Sequence, residues 1–522
     1  MQNAQVLIGL LVAVALLAPL AGLLRVPYPI LLVLGGLGLG FVPGLPAVQL
    51  EPDLVFFLFL PPLLYAGAFF SSPRDLRMNA WPISKLALGL VVASIVAVAV
   101  VAHLVVPGLS WTTAFVLGAI VSPTDPTAAT AVFRRLGVSE RLVTILEGES
   151  LVNDGVALVA YRLAVVAVIT GSFSLWQGSL EFVLVSAGGI LIGLVLGWLI
   201  AQGRRRLDDP PVEITISFVT PFAAYLLAEE LGVSGVLATV TVGLYLGWRS
   251  AGLFLPGTRL QAYAFWNVVG FLANSMLFVL VGLQFPGILA ALSADLWLAI
   301  GTAVLVSLVL VAVRMAWQFA ITFPIREMTR HEDASTSTRE RLMLGWSGMR
   351  GGISLAAALS LPLTVTTGAP FPLRDFIIFV TFGVILLTLV GQGLTLPPLV
   401  RRLGLAEPAE DEREEAEARV ESAHAALATI EEEATREDVP EDVVERMRDL
   451  YSYRAHHAAA PLADGEDGGA HESAEAFRRL RAKLISAERE SMQGMRERGE
   501  LDGEVLRRIE RDLDLEESRL EE

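Results

Sequence analysis

The sequence predicts an all-α membrane protein followed by a helical, water-soluble tail. Three observations carry this. The 522 residues are 54% hydrophobic, with a mean hydropathy of +0.58, values typical of a chain that crosses a membrane many times. Apolar runs of helical length recur thirteen times before residue 402. Charge divides the chain into two unlike parts. From Gly404 onward there are 35 acidic and 17 basic residues, a net −18, against 20 acidic and 22 basic before it, a net +2. The expected domains are therefore a membrane domain, 1–403, and an acidic tail, 404–522.

The apolar runs lie near 4–24, 28–43, 52–70, 82–106, 111–135, 140–170, 178–202, 211–231, 233–249, 261–284, 295–323, 339–362 and 373–401. A bilayer is crossed by roughly 20 apolar residues. The first run lacks the charged start and small-residue cleavage site of a signal peptide, so it counts as a span. Alternate loops carry the basic residues: Arg25; Arg74, Arg77 and Lys85; Arg134, Arg135 and Arg141; Arg204 to Arg206; Arg249 and Arg259; Arg326, Arg330, Arg339 and Arg341; then Arg401 and Arg402. The opposite loops hold only Arg374. The positive-inside rule then places the N-terminus outside and the tail in the cytoplasm, an alternation that requires an odd number of spans. In the tail, helices are expected near 407–435, 440–458, 472–499 and 503–520, with a break at Asp464–Gly469. Charges at i, i+4 mark them as solvated helices. A plain cytoplasmic appendage and a sensing role both fit.

Several classes are excluded. There is no cysteine, hence no disulfide or thiolate metal site. The six histidines show no HExxH spacing, and no Walker sequence supports ATP-driven transport. GGLGLG, 35–40, matches a dinucleotide fingerprint in form, but it lies in a short span with no strand before it and reads as close helix packing.

Three polar stretches interrupt the apolar runs. SPTDPTAATAVF, 122–133, falls mid-span. Pro123 and Pro126 remove backbone donors and should unwind the helix around Thr124 and Asp125. Freed carbonyls are tolerated at that depth only inside protein or beside water, where they can coordinate a cation. Asp125 can equally cap the downstream half-helix, offsetting its positive end. EGESLVNDG, 147–155, places Glu147, Glu149 and Asp154 in the next span. Intramembrane charge is expensive and usually functional. Ser150 and Asp154 are i, i+4 and share a face, with Glu149 and Asn153 on the adjacent stripe. Hydroxyl and carboxylate oxygens suit a hard cation, and a poorly hydrated carboxylate also holds a proton near neutral pH. GWSGMRGGIS, 345–354, is glycine-rich enough to interrupt a third helix. Its Arg350 is permanently charged and needs a partner, for which Glu149 is the candidate. Arg314 and Arg162 are also intramembrane and should be structurally paired.

SPTDP, GESLVNDG and GMRGGISL, in this order, resemble the monovalent cation:proton antiporter family, in the branch of the archaeal NhaP proteins and animal sodium/proton exchangers. PPLLYAGAFF, 61–70, resembles the family's third span more weakly. The resemblance covers roughly 5–400. It implies thirteen transmembrane helices in two inverted six-helix repeats with crossed discontinuous helices, and a core domain that moves against a dimerisation domain in a homodimer. By position it makes Asp154 the ion-binding carboxylate with Asn153 beside it, and Ser150, Thr124 and Asp125 its companions. Na⁺ would sit at Asp154, Ser150 and Thr124, and Glu149–Arg350 would be the buried structural pair. Ala66 departs from the pattern, since several members carry an acidic residue there. Electrogenic relatives place a second Asp at the position of Asn153, so one-for-one, electroneutral exchange is expected.

The expected protein is therefore a Na⁺/H⁺ antiporter of the inner membrane working by alternating access in pH and sodium homeostasis. K⁺ or Li⁺ are the alternative cargoes. No cofactor, enzymatic activity or nucleic-acid partner is expected, and lipid surrounds the spans. Two rival classes are an intramembrane aspartyl protease using Asp125 and Asp154, and a cation sensor signalling through the tail.

Overall fold

A computed structural model describes residues 2–24, 26–43, 52–171, 175–205, 207, 209–253, 256–321, 337–405, 409–434, 439–459 and 468–521. Arg25, Arg206, Arg326, Arg330 and part of the tail break at Asp464–Gly469 lie outside them. Among the described residues every regular element is helical, apart from one isolated bridge between Thr364 and Pro370. The chain divides into two compact units, Met1–Glu407 and Pro408–Glu522.

In the first unit, seven helices are long and apolar enough to cross a membrane: Ala80–Val105, Glu140–Thr170, Trp176–Arg204, Pro210–Glu230, Pro256–Ala291, Leu296–Phe319 and Arg374–Leu403. Shorter apolar helices cover Ile8–Leu24, Tyr28–Gly40, Phe56–Phe70 and Trp111–Val121. The site-bearing elements are α1 (Trp111–Val121), α2 (Thr127–Leu136), α3 (Glu140–Thr170), α4 (Pro256–Leu283), α5 (Leu296–Ala316), α6 (Thr338–Trp346), α7 (Gly352–Leu359) and α8 (Arg374–Leu403).

Two of the thirteen apolar runs are each split into half-helices. In the first, α1 stops at Val121 and α2 starts at Thr127 after Pro126. The proline ring cannot continue a helix from the N-terminal side, but its fixed φ suits the residue before a new one. Ser110 fixes the start of α1 by accepting from Thr113 N at 3.2 Å. Gly137 ends α2 at φ 65°, a left-handed turn that glycine adopts without steric cost. In the second, Ser337 closes a capping box with Glu340 at the start of α6, and the chain leaves helical geometry at 347–351, within SGMRG.

The main buried cluster packs α1, α2 and α3 against α5, α7 and α8, with Val116, Ile120, Phe133, Leu146, Val306, Leu355 and Ile385 among its members. A second cluster gathers Tyr65, Phe69, Ala224, Val242, Leu246 and Trp266. Close helix approach, the reading given to GGLGLG, is what the structure shows. A Cβ at Gly36 would overlap the Val279 carbonyl of α4, and one at Gly282 would overlap that of Val33. Small residues allow such backbone contact between membrane helices.

Among the described residues the second unit holds four helices, Ala409–Ala434, Glu441–Ala459, Gly468–Glu497 and Gly503–Glu521. The last two bury Ile485, Met492, Leu506 and Leu513 against each other and are laced by Arg489 with Asp514 and Glu517. A hydrogen bond from the Arg448 guanidinium holds Glu431 below the usual carboxylate range.

Candidate functional site

The two helix breaks meet. Asp125 N donates to Met349 O at 2.8 Å, tying 122–126 to 347–351. Asp125 Oδ1 accepts from Thr127 N at 2.9 Å, so this carboxylate caps α2. Its other oxygen lies against Gly351, the residue before α7; a Cβ there would overlap Oδ2. One negative charge thus stands at the positive ends of two half-helices, which carry unpaired N–H groups and a favourable dipole.

The negative ends of the upstream halves are met by two arginines. Arg350 Nε donates to Val121 O, the last residue of α1, at 3.0 Å, and Nη1 donates to Gly348 O. Arg314, on α5, donates through Nε to Leu344 O in the last turn of α6 at 2.8 Å. Its Nη1 and Nη2 form a bidentate pair with Glu149, the second bond at 2.7 Å. This corrects the expected Glu149–Arg350 pair. Glu149 takes Arg314, whose planar fork matches a carboxylate, and Arg350 is satisfied by carbonyls at a helix C-terminus, where a cation is favoured. The two guanidiniums are neighbours around Gly348, so spacing along the chain could not choose between them. Arg162 pairs with Glu229.

From Glu149 a buried chain of hydrogen bonds runs on. Thr124 Oγ1 donates to Glu149 Oε1 at 3.1 Å, and Asn153 Nδ2 donates to Thr124 Oγ1 at 2.8 Å. Asn153 Oδ1 has no hydrogen-bond partner among the described residues. The amide of Asn153 is therefore turned toward Thr124, and Asn153 is not among the residues lining the adjoining cavity.

That cavity, about 590 Å³, is lined by Thr124, Asp125, Ser150 and Asp154 and by both prolines of the first break, Pro123 and Pro126. Asp154 is only 4% exposed and, among the described residues, has neither hydrogen bond nor ion pair. Ala66 also faces the space. Sequence reading missed one wall, formed by Tyr263, Trp266, Asn267, Gly270, Phe271 and Asn274 of α4. The i, i+3, i+4, i+7 spacing of these residues was the available signal, since two asparagines seven apart in an apolar helix share one face and point to a wet one. Ser354 at the start of α7 also lines the space.

A buried carboxylate facing a cavity roomy enough for water, with hydroxyls beside it and no positive partner, can hold a cation or a proton. Comparison with known proteins decides the family. The sodium/hydrogen exchanger, transmembrane family matches residues 11–402. The chain belongs to the sodium/hydrogen exchanger family. A Mycobacterium tuberculosis relative named as an uncharacterised Na⁺/H⁺ exchanger is 38% identical over 530 residues, 99% of this chain and 96% of its own. The Na⁺/H⁺ antiporter ApNhaP of Aphanothece halophytica is 37% identical over 403 residues, 77% of this chain and 74% of its own. A Bacillus subtilis protein named as a sodium, potassium, lithium and rubidium/H⁺ antiporter is 33% identical over 505 residues, 92% and 72% of the two chains. The structure of the sodium proton antiporter MjNhaP1 from Methanocaldococcus jannaschii at pH 8 shares the fold, with TM-score 0.59 and 22% identity over 78% of this chain and 100% of that one. These exchanger-family relatives are transporters, not enzymes.

Proposed function

We propose that this chain is a secondary antiporter of the cytoplasmic membrane that exchanges Na⁺ for H⁺ by alternating access, in the service of pH and sodium homeostasis. The observation that carries the reading is Asp154, buried at the cavity with no counter-charge while its neighbour Glu149 is fully clamped. In this reading Asp154 binds either a cation or a proton, and only the loaded protein reorients. The Ser150 and Thr124 hydroxyls supply further oxygens for Na⁺, Asp125 balances the half-helix ends, and Asn153 holds Thr124 in place. Asn153 adds no titrating group, so one carboxylate carries one Na⁺ or one H⁺ and the exchange is electroneutral.

The architecture proposed with this function is thirteen spans in two inverted repeats, as a homodimer, with the N-terminus outside and the tail cytoplasmic. The loop arginines support that orientation. Relatives named for potassium, lithium and rubidium put those ions on the test panel beside Na⁺. The experiment is proton flux from liposomes bearing the protein after addition of Na⁺, K⁺ or Li⁺, with and without a valinomycin-clamped potential. Na⁺-driven flux insensitive to the potential is expected; absence of cation-driven flux overturns antiport, and strong dependence on the potential overturns electroneutrality.

A further inference from the structure

Glu147 is the carboxylate of 147–155 that the proposed exchange leaves without a role. It stands at i, with Ser150 at i+3 and Asp154 at i+7, and all three line the cavity. They form one stripe along α3, in which Glu147 lies about 10 Å from Asp154 along the axis at 1.5 Å per residue. Exposure grades in the same direction. The Glu147 side chain is 32% exposed, whereas Asp154 is 4%. Facing Glu147 across the cavity mouth is Arg134 of α2, 59% exposed, which also lines the space and donates from Nη2 to Glu147 Oε1 at 2.8 Å.

We propose that Glu147 is the first group to attract a monovalent cation toward Asp154, and that Arg134 partly masks it, so that the pair sets the apparent cation affinity of transport from that side. The inference rests on the antiport reading and adds to it an access residue on the side where the basic loop Arg134, Arg135 and Arg141 lies.

The physics is that of a cavity opening, where one charge changes the local concentration of small ions. A negative Glu147 enriches hydrated cations beside the Asp154 stripe. A guanidinium within hydrogen-bonding distance cancels much of that field. A cation arriving at Glu147 must compete with Arg134, whose exposed side chain swings into solvent at little cost, because partly exposed ion pairs contribute only about 0–1 kcal/mol. The same weakness makes the pair a poor structural clamp.

The two partners therefore have opposite effects on transport, which a structural role would not produce. In liposomes bearing the full chain, the Na⁺ concentration for half-maximal exchange at fixed pH is the readout. Glu147→Gln should raise it several-fold, with a larger change in half-saturation than in maximal rate, while Arg134→Gln should lower it. The double variant should fall between Glu147→Gln and wild type, because removing the arginine also removes its repulsion. Glu147→Asp, which retains the charge, should stay nearer wild type than Glu147→Gln, and if the glutamine variant fails to fold, Arg134→Gln carries the test: an unchanged or raised half-saturation there overturns the inference. Adding the non-transported N-methylglucamine salt should shrink the differences by screening. Exchange by wild type with both single variants unchanged, or both shifted in the same direction, overturns this inference alone. No exchange by wild type overturns the antiport reading and this inference with it.

Discussion

Two carboxylates five residues apart on one helix, Glu149 and Asp154, are treated in opposite ways. Glu149 is 1% exposed and receives two bonds from Arg314 and one from Thr124. Asp154 is 4% exposed and receives none among the described residues. A buried charge is stable when it is paired and fully hydrogen-bonded. By that rule Glu149 is finished as a structure, and Asp154 is the carboxylate that the proposed exchange loads with a cation or a proton. The difference teaches that burial alone does not single out a candidate exchange residue; in the proposed function, burial without a partner does.

The comparison breaks first at Arg314. Arg314→Ala leaves Glu149 buried and uncompensated and uncaps α6 at Leu344, so a loss of about 3–5 kcal/mol is expected. A large fall in Tm in detergent checks it. Arg350→Ala uncaps α1 but strands no carboxylate, and should cost less than Arg314→Ala; the reverse order would mean that Glu149 relies on Arg350.

Gly351→Ala comes next. Its Cβ would overlap Asp125 Oδ2, and the chain must shift where the two breaks are tied by Asp125 N to Met349 O. Overpacking of this kind costs about 1–3 kcal/mol. Thermal melting together with flux should show both stability and exchange reduced.

The smallest expected effect on stability is at Asn153. Asn153→Ala removes the donor to Thr124 but leaves Glu149 paired with Arg314, a loss of about 0.5–1.5 kcal/mol. Cation selectivity should change more than Tm, because Thr124 loses the contact that orients it. If Tm falls as far as in Arg314→Ala, the chain of bonds through Thr124 bears more of the structure than the comparison allows.

Much of this was legible in the sequence, for physical reasons. Pro123 and Pro126 announce the first break because a proline pair cannot be absorbed in a helix. The glycines around Arg350 announce the second. The stripe of Ser150 and Asp154 follows from helical spacing alone. What the sequence could not show was which arginine meets Glu149. Arg314 and Arg350 lie 36 positions apart but side by side in the fold, and the helix C-terminus that satisfies Arg350 exists only once α1 has stopped at Val121. The α4 wall was hidden for a different reason: Asn267 and Asn274 sit in no motif, and their shared face matters only because a cavity lies against it. Arg134 read as a loop charge and Glu147 as one of three carboxylates in a span, and only the structure pairs them where both line that cavity.

The central claim is that Asp154 is the exchanging carboxylate, and Asp154→Asn tests it most directly. The amide fits the same space, cannot cycle a proton, and is a weaker cation ligand. Because Asp154 has no counter-charge to lose, neutralising it should leave Tm unchanged or raise it, in contrast to the fall expected at Arg314. Flux from liposomes should show Na⁺-driven proton exchange abolished in a folded protein. Substantial Na⁺-driven proton flux in Asp154→Asn would contradict the account.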